Sequence, residues 1–374
     1  MRGHIRKRGS TYSIVVDIGR DENGKRQQKW YSGYRTKKEA EKALDLLLAE
    51  IEKGEYVKPT NMTIGEFLDE WLEEYCKPKL APKTYKSYSD TIRLYFKPIL
   101  GRIELAKLKP ITIQRYYNML KEEGKLSDTT INYHHRLLSK ALKQAVKWQY
   151  ISKNPCDAVD TPKKRNVEMK IWNIENVKKA EQVFANSPIF IHVMLAIYTG
   201  MREGELCGLR WEDINFKDGT CTIRRTAQRV DKELIFKEPK TDTSTRVVAL
   251  PQNIIEMLKQ EKKKQAENKI LLGSAYDNNY EGYISVWEDG HFKEPDYVSK
   301  KFHKMLAATP ELPMIRFHDL RHTHASLMLA SGANMKVVSE RLGHSQIGIT
   351  MDLYSHVPIE LQKDAIKKLE TLLQ

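Results

Sequence analysis

Two periodicities divide the chain. Tyr12, Ile14, Val16 and Ile18 alternate with Ser13, Val15 and Asp17, the period-two pattern of a half-buried strand, blurred only by Val15. Asp21-Glu22-Asn23-Gly24 reads as a hairpin turn, with Asn-Gly its strongest part, so 27–34 is the returning strand. Thr36-Lys37-Lys38-Glu39 has the form of a capping box and predicts a helix through Ile51 that stops at Gly54. From there the apolar spacing changes to three and four. Thr63-x-x-Glu66 is a second capping box, followed on one face by Phe67, Trp71 and Tyr75. Pro82 suits a first helical turn, and Tyr85, Tyr88, Ile92 and Tyr95 mark the next stripe. Further helices are predicted over 111–123 and 128–149, the latter opened by Ser127, and Asn154-Pro155 ends the array. Aromatic stripes at this spacing read as core rather than as base-stacking surface.

The stretch 160–166, Asp-Thr-Pro-Lys-Lys-Arg-Asn, is polar, basic and proline-containing, which marks a domain boundary able to track a phosphate backbone. Beyond it, 189–198 is an apolar helix. Thr199-Gly200-Met201-Arg202 breaks from it, and Glu203, Glu205, Leu206 and Leu209 open another, placing Arg202 at a helix start. Strands are predicted at 220–226, 233–236 and 244–250, with Lys240 in the turn before Arg246-Val-Val-Ala-Leu. A helix beginning near Asp319 carries His318 and Arg321 on one face, buries Leu320, Leu327 and Met328, and stops at Gly332. A shorter one, 335–342, stops at Gly343 and presents His344. The stretch 280–291 reads as an insertion-like loop without assigned function. After Pro358, Leu361, Ala365, Ile366, Leu369, Leu372 and Leu373 form one apolar face.

At 374 residues the chain has room for two or three domains. Its formal net charge of +14 points to a polyanionic partner, and the first 38 residues alone carry 11 Lys/Arg against 3 Asp/Glu. No run approaches ~20 apolar residues and the N-terminus lacks an apolar signal core, so a soluble, unexported chain is expected. Cys76, Cys156, Cys207 and Cys221 are widely spaced without a C-x-x-C pair, as expected of free thiols in a reducing cytosol. His318, His322 and His324 lack a neighbouring Cys or Glu ligand set, so neither metal nor cofactor is expected.

An arginine, imidazoles beside it and a phenol within reach are equipment for phosphoryl chemistry. Tyr354 is one of 18 tyrosines, and only its place after L-G-H-S singles it out. T-G-M-R-x-x-E at 199–205, P-K-T at 239–241, F-H-D-L-R-H-T-H at 317–324, L-G-H-S at 342–345 and Tyr354 occur in that order. Together they resemble the tyrosine recombinases, the phage-integrase family. The resemblance is strong over 195–356. Over 63–160, Leu126, Ser127, Thr130, Ile131, Asn154 and Pro155 resemble the family's core-binding domain, and 1–60 weakly resembles the arm-binding module of integrases.

The resemblance implies a multi-domain α+β fold. Residues 1–60 would be an arm-type DNA-binding module of small β-sheet plus helix, and 63–160 an all-α core-binding domain. Residues 168–374 would be a mainly α catalytic domain with a β-hairpin segment and a C-terminal tail helix. It also implies roles: Arg202 and Arg321 clamp the scissile phosphate, His344 donates to it, and His318 assists deprotonation of Tyr354. Lys240 protonates the departing 5′-oxygen, with Lys237 as the competing candidate. Glu205 braces a guanidinium, that of Arg202 or of Arg321. A tyrosine suits this task because a phenol is a tolerable leaving group, so a 3′-phosphotyrosine stores the bond energy and religation needs no ATP. Arg6, Lys7, Arg8, Lys25, Arg26 and Lys29 are the candidate arm-module DNA contacts. The implied partners are double-stranded core and arm sites, a homotetramer on DNA, and DNA-bending and directionality factors. The implied setting is a mobile element integrating or excising in the bacterial cytoplasm. Two other classes are open: a type IB topoisomerase, which the arm-like module argues against, and a non-catalytic DNA-binding relative, against which stand Arg202, Arg321, His344 and Tyr354.

The apolar face after Pro358 must be buried somewhere, either on its own domain or in a neighbouring protomer. Truncation after Val357 is expected to leave single-site DNA binding intact and to abolish tetrameric synapsis, measured by native gel and light scattering. Normal synapsis by the truncated chain would reduce the segment to local packing.

Overall fold

The N-terminal alternation builds a three-stranded antiparallel sheet of Gly3–Arg8 (β1), Thr11–Arg20 (β2) and Arg26–Tyr34 (β3), in the order β1-β2-β3. This is a computed structural model that describes residues 3–20, 26–52, 61–162, 170–230, 233–237, 245–343 and 370. The turn expected at 21–24 and the helix stop at Gly54 lie outside those residues. β1 escaped the sequence pattern because Ile5 is its single large apolar residue. Helix α1 (Lys37–Glu52) covers one sheet face, its Ala40, Ala43, Leu44, Leu47 and Leu48 packing with Ile5, Ile14, Val16 and Tyr31. The chain divides into two compact units, 1–166 and 167–374.

The remainder of the first unit is helical. Ile64–Glu70 (α2) starts at the Thr63–Glu66 box and runs into a π-helical turn, Trp71–Cys76. Pro82–Thr91 (α3) continues through a second π turn, Ile92–Phe96, into Lys97–Leu100 (α4). Pro110–Glu122 (α5) and Asp128–Lys147 (α6) complete the set. Of the predicted stripes, Phe67, Trp71 and Ile92 are buried in the core and Tyr75, Tyr85, Tyr88 and Tyr95 pack against it half-buried, while Phe96, Tyr116, Tyr117, Leu138 and Leu142 complete it. α6 ends two residues before its expected limit because Gln149 takes φ +60°, which a right-handed helix cannot accommodate.

In the second unit, Ile174–Phe184 (α7) precedes Phe190–Thr199 (α8), a helix buried on nearly every face, then Glu203–Cys207 (α9). Short strands follow: Ile214–Asn215 (β4), Thr220–Ile223 (β5), Thr226–Val230 (β6), Glu233–Lys237 (β7) and Arg246–Ala249 (β8). They form two antiparallel sheets, β4-β5-β8 and β6-β7. The single strand expected at 220–226 is thus broken, because Arg224 and Arg225 turn aside to the buried Asp213 (2.6 and 2.5 Å). Gln252–Leu272 (α10), Pro295–Ala307 (α11), Asp319–Ala330 (α12) and Met335–Leu342 (α13) complete the unit. α10 gave little sequence signal: only Ile254, Ile255 and Leu258 are buried along it. The 280–291 stretch is not an open loop. Ile284 N–H donates to the Leu209 carbonyl (3.0 Å), Ser285 is fully buried, and Tyr280 and Tyr283 pack with Phe236 and Phe292. Among the described residues no helix is long and apolar enough to cross a membrane.

Gly200 lets α8 end against α12 and α13. It takes φ +66°, and a Cβ there would stand 2.5 Å from Leu342 Cδ2 and 2.6 Å from His324 Cδ2. Gly282, with φ +87°, has open space around it. Gly200→Ala is therefore expected to cost about 2–4 kcal/mol, combining backbone strain with overpacking. Gly282→Ala should cost about 1–2 kcal/mol from backbone strain alone. Denaturant unfolding of both variants checks this, and equal losses would refute the close-approach argument.

Candidate active site

A helix leaves its last carbonyls without intrahelical donors, and here those orphans organise the site. At the end of α13, Gly343 turns left-handed and its N–H caps Glu340 (3.0 Å). The next three carbonyls each take an arginine from elsewhere. Arg246 Nε donates to the Arg341 carbonyl (2.8 Å), Arg321 Nη2 to that of Leu342 (2.6 Å), and Arg202 Nη2 more loosely to that of Gly343 (3.4 Å). The end of α8 is treated alike. His324 Nδ1 donates to the Ile197 carbonyl (2.8 Å), Arg341 Nη2 to that of Tyr198 (2.9 Å), and Arg321 Nη1 to that of Gly200 (2.7 Å). Cations at these negative dipole ends are held favourably.

Glu205 is the carboxylate within this set. Arg202 donates to it through its backbone N–H (2.9 Å) and Nη1 (2.8 Å), and Arg246 grips it with two nitrogens (3.1 and 2.7 Å). Burial alone would push the carboxyl up, but the bonds and charges of Arg246 and Arg202 hold it down at about 2. Of the two guanidiniums that Glu205 was expected to brace, the structure brings it to that of Arg202, with Arg246 as a second. Arg202 and Arg246 hold the Glu205 carboxylate, while the guanidiniums of Arg321 and Arg341 are held by carbonyls at the same two helix ends, leaving a positive excess suited to a phosphate.

His318 stands at the start of α12, its ring edge-on to that of His322 with centroids 5.3 Å apart. One side of it faces solvent, but packing against protein, then the charges of His322, Arg321 and Arg202, push its pKa down to about 4. It is a neutral imidazole at physiological pH. His324 plays another part. Its Nδ1 is spent on Ile197 and its Nε2 accepts from Arg341 Nε (3.2 Å), so it is a buried strut with no lone pair for a metal. Lys240, His344 and Tyr354 lie outside the described residues. Lys237 ends β7, opposite Thr226.

Sequence reading missed Arg246 and Arg341 as members of the site. Arg246 did leave a signal: it stands in phase with inward-facing Val248 on an otherwise apolar strand, so a buried guanidinium was readable there. Arg341, on α13 between Glu340 and Leu342, had none.

The first unit carries two basic faces. On the sheet side away from α1, Arg6 and Arg8 lie over the exposed Trp30 ring at 5.5 and 5.0 Å. Lys7 and Lys29 belong to the opposite alternation, beside Tyr12 and Tyr31. Lys25 is outside the described residues, as is the side chain of Arg26. On α6, Arg136, Lys140, Lys143 and Lys147 line one hollow with Tyr75, and Lys140 lies over the Tyr88 ring at 5.3 Å. The sequence reading assigned no function to these four.

Arginines gathered on helix ends around a neutral imidazole, with basic faces elsewhere on the chain, define a phosphoryl-transfer protein that acts on nucleic acid. Residues 166–360 match the phage integrase family, 63–121 its N-terminal SAM-like domain and 4–51 an arm DNA-binding domain. The chain belongs to the phage integrase family and is a tyrosine recombinase. A XerC-like tyrosine recombinase of Caldanaerobacter subterraneus is 34% identical over 96% of each chain. The ICEBs1 integrase of Bacillus subtilis is 26% identical over 90% of this chain and 91% of that one. Among solved structures, the Tn1549 transposon integrase bound to a circular-intermediate DNA shares the fold. It is 18% identical, with TM-score 0.71, over 82% of this chain and 99% of that one. The lambda integrase tetramer on a Holliday junction gives 0.59 at 20% identity, over 94% of each chain.

Arg202→Lys keeps the charge but loses the planar two-point contact. It is expected to slow DNA cleavage about 10²–10³-fold, while DNA affinity changes less than about threefold since the charge persists. Single-turnover cleavage and fluorescence anisotropy check the two halves, and wild-type cleavage would reduce Arg202 to a surface residue.

Proposed function

We propose that the chain catalyses site-specific DNA recombination for a mobile element, cutting and rejoining strands through a covalent 3′-phosphotyrosine. The observation that carries this reading is the placement of Arg202 and Arg321 on consecutive carbonyls of one helix end, with neutral His318 beside them. Two guanidiniums so placed clamp the non-bridging oxygens and stabilise charge gathering on the phosphorane. His318 holds a free lone pair to take the proton of Tyr354 as its oxygen attacks phosphorus. His344 then donates to a non-bridging oxygen, and Lys240 gives its proton to the departing 5′-oxygen. The reverse sequence rejoins the strand without ATP.

In this reading 1–60 binds arm sites, chiefly through Arg6, Arg8 and Trp30, and 63–160 binds core sites, with α6 following phosphates. Residues 168–374 perform the chemistry. The lambda integrase tetramer on a Holliday junction, which shares the fold, supports a homotetramer on two sites here. DNA-bending and directionality factors would select integration or excision. The bacterial relatives and the four buried thiols support a cytoplasmic setting.

A nicked duplex library with a randomised centre tests the reading, since a covalent adduct survives denaturation and its DNA can be sequenced. Wild type should yield adducts enriched in one sequence, and Tyr354→Phe none, while still binding the recovered duplex within about threefold because only a hydroxyl is lost. No wild-type adduct would make the chain a non-catalytic DNA binder. Adducts without sequence enrichment would mark a topoisomerase, and adducts from Tyr354→Phe would place the nucleophile elsewhere.

A further inference from the structure

Arg246, which the motifs did not single out, ties together several parts of the site's framework. It begins β8, opposite Ile223, and is 9% exposed. Two of its nitrogens hold both oxygens of Glu205 (3.1 and 2.7 Å), and the third donates to the Arg341 carbonyl (2.8 Å). Gly343 rests on it: a Cβ there would stand 3.1 Å from both Arg246 Cδ and Nη1, and φ is +66°. All three nitrogens of the planar fork are therefore committed in fixed directions, a geometry that an ammonium cannot reproduce.

We propose that Arg246 is a positioning residue for strand cleavage: one guanidinium fixes the Glu205 carboxylate that orients Arg202, and also the helix end from which the chain enters His344. It joins the strand after the Lys240 segment, the Arg202 turn and the close of α13, three stretches remote in sequence. Arg202 itself is half exposed and bonds Gly343 only at 3.4 Å, so its direction depends on Glu205, and that of Glu205 on Arg246. A buried carboxylate deprived of this partner has its charged form disfavoured. Glu205 would then protonate within the working range and release Arg202.

The inference rests on the recombinase reading, and the test separates the two. Full-length wild type, Arg246→Gln, Arg246→Lys, Glu205→Gln and the double variant Arg246→Gln/Glu205→Gln are compared on the nicked duplex recovered from the capture library. Affinity is measured apart from single-turnover adduct formation, and thermal melts set an assay temperature at which each variant is folded. Arg246→Gln and Arg246→Lys should bind within about threefold of wild type yet react about 10²-fold more slowly, as a misdirected clamp does. The double variant should react within about twofold of the slower single variant, because the two residues act as one unit. Between about pH 8 and about pH 5, Arg246→Gln should acquire a loss of rate toward acid that wild type lacks. Glu205→Gln should abolish that acid limb in the double variant, which no general loosening of the fold predicts. Four outcomes overturn the proposal: wild-type rates in Arg246→Gln, multiplicative losses in the double variant, an acid limb that survives Glu205→Gln, or failure of both Arg246 variants to fold. Absence of an adduct from wild type itself would instead remove the recombinase reading, and this inference with it.

Discussion

Unpaired carbonyls at a helix end must find donors, and at α13 arginines from other segments supply them. Arg246, Arg321 and Arg202 take the carbonyls of Arg341, Leu342 and Gly343 in turn. A residue satisfying a backbone group in this way has its own direction fixed by that group. The same bonds that complete the helix therefore aim the guanidiniums, and the two cannot be altered separately. α8 repeats the arrangement through Arg321, Arg341 and His324, so Arg321 bridges both helix ends.

Glu205 makes that density of positive charge tolerable. A buried carboxylate is costly alone, and removing one partner from a buried ion pair typically costs about 3–5 kcal/mol. Its bidentate grip by Arg246 and its bond to Arg202 reverse the cost, holding it ionised to about pH 2. Glu205 contacts two guanidiniums and cannot neutralise both, so the pair keeps a net positive charge that a DNA phosphate would complement. Binding should accordingly weaken steeply with salt. Packing against protein, and after it the charges of His322, Arg321 and Arg202, keep His318 neutral beside them.

The first unit uses cations differently. Arg6 and Arg8 lie over Trp30, and Lys140 over Tyr88, where an aromatic face directs the charged head. Such faces suit a phosphate backbone, whereas the guanidiniums of Arg202 and Arg246 are committed to Glu205.

The sequence by itself determined most of the elements and the order of the motifs. A capping box at Thr63, an N-cap at Ser127, stripes through Phe67 and Ile92, and glycine stops at Gly332 and Gly343 are local signals, because caps, spacing and φ preference act within a few residues. Motif order likewise pointed to the family and singled out Arg202 and Arg321 as candidates. Tertiary structure alone decided what each polar group does inside. Arg224 and Arg225 break a strand because Asp213, remote from them in the strand pattern, is buried beside them. His324, one turn beyond Arg321, is a strut because Ile197 and Arg341 claim both its nitrogens. Arg246 gained its role from Glu205 and from a helix end 95 residues away in sequence. Hydrogen-bond partners of buried side chains are chosen by packing across the chain, and no periodicity in a linear sequence records that choice.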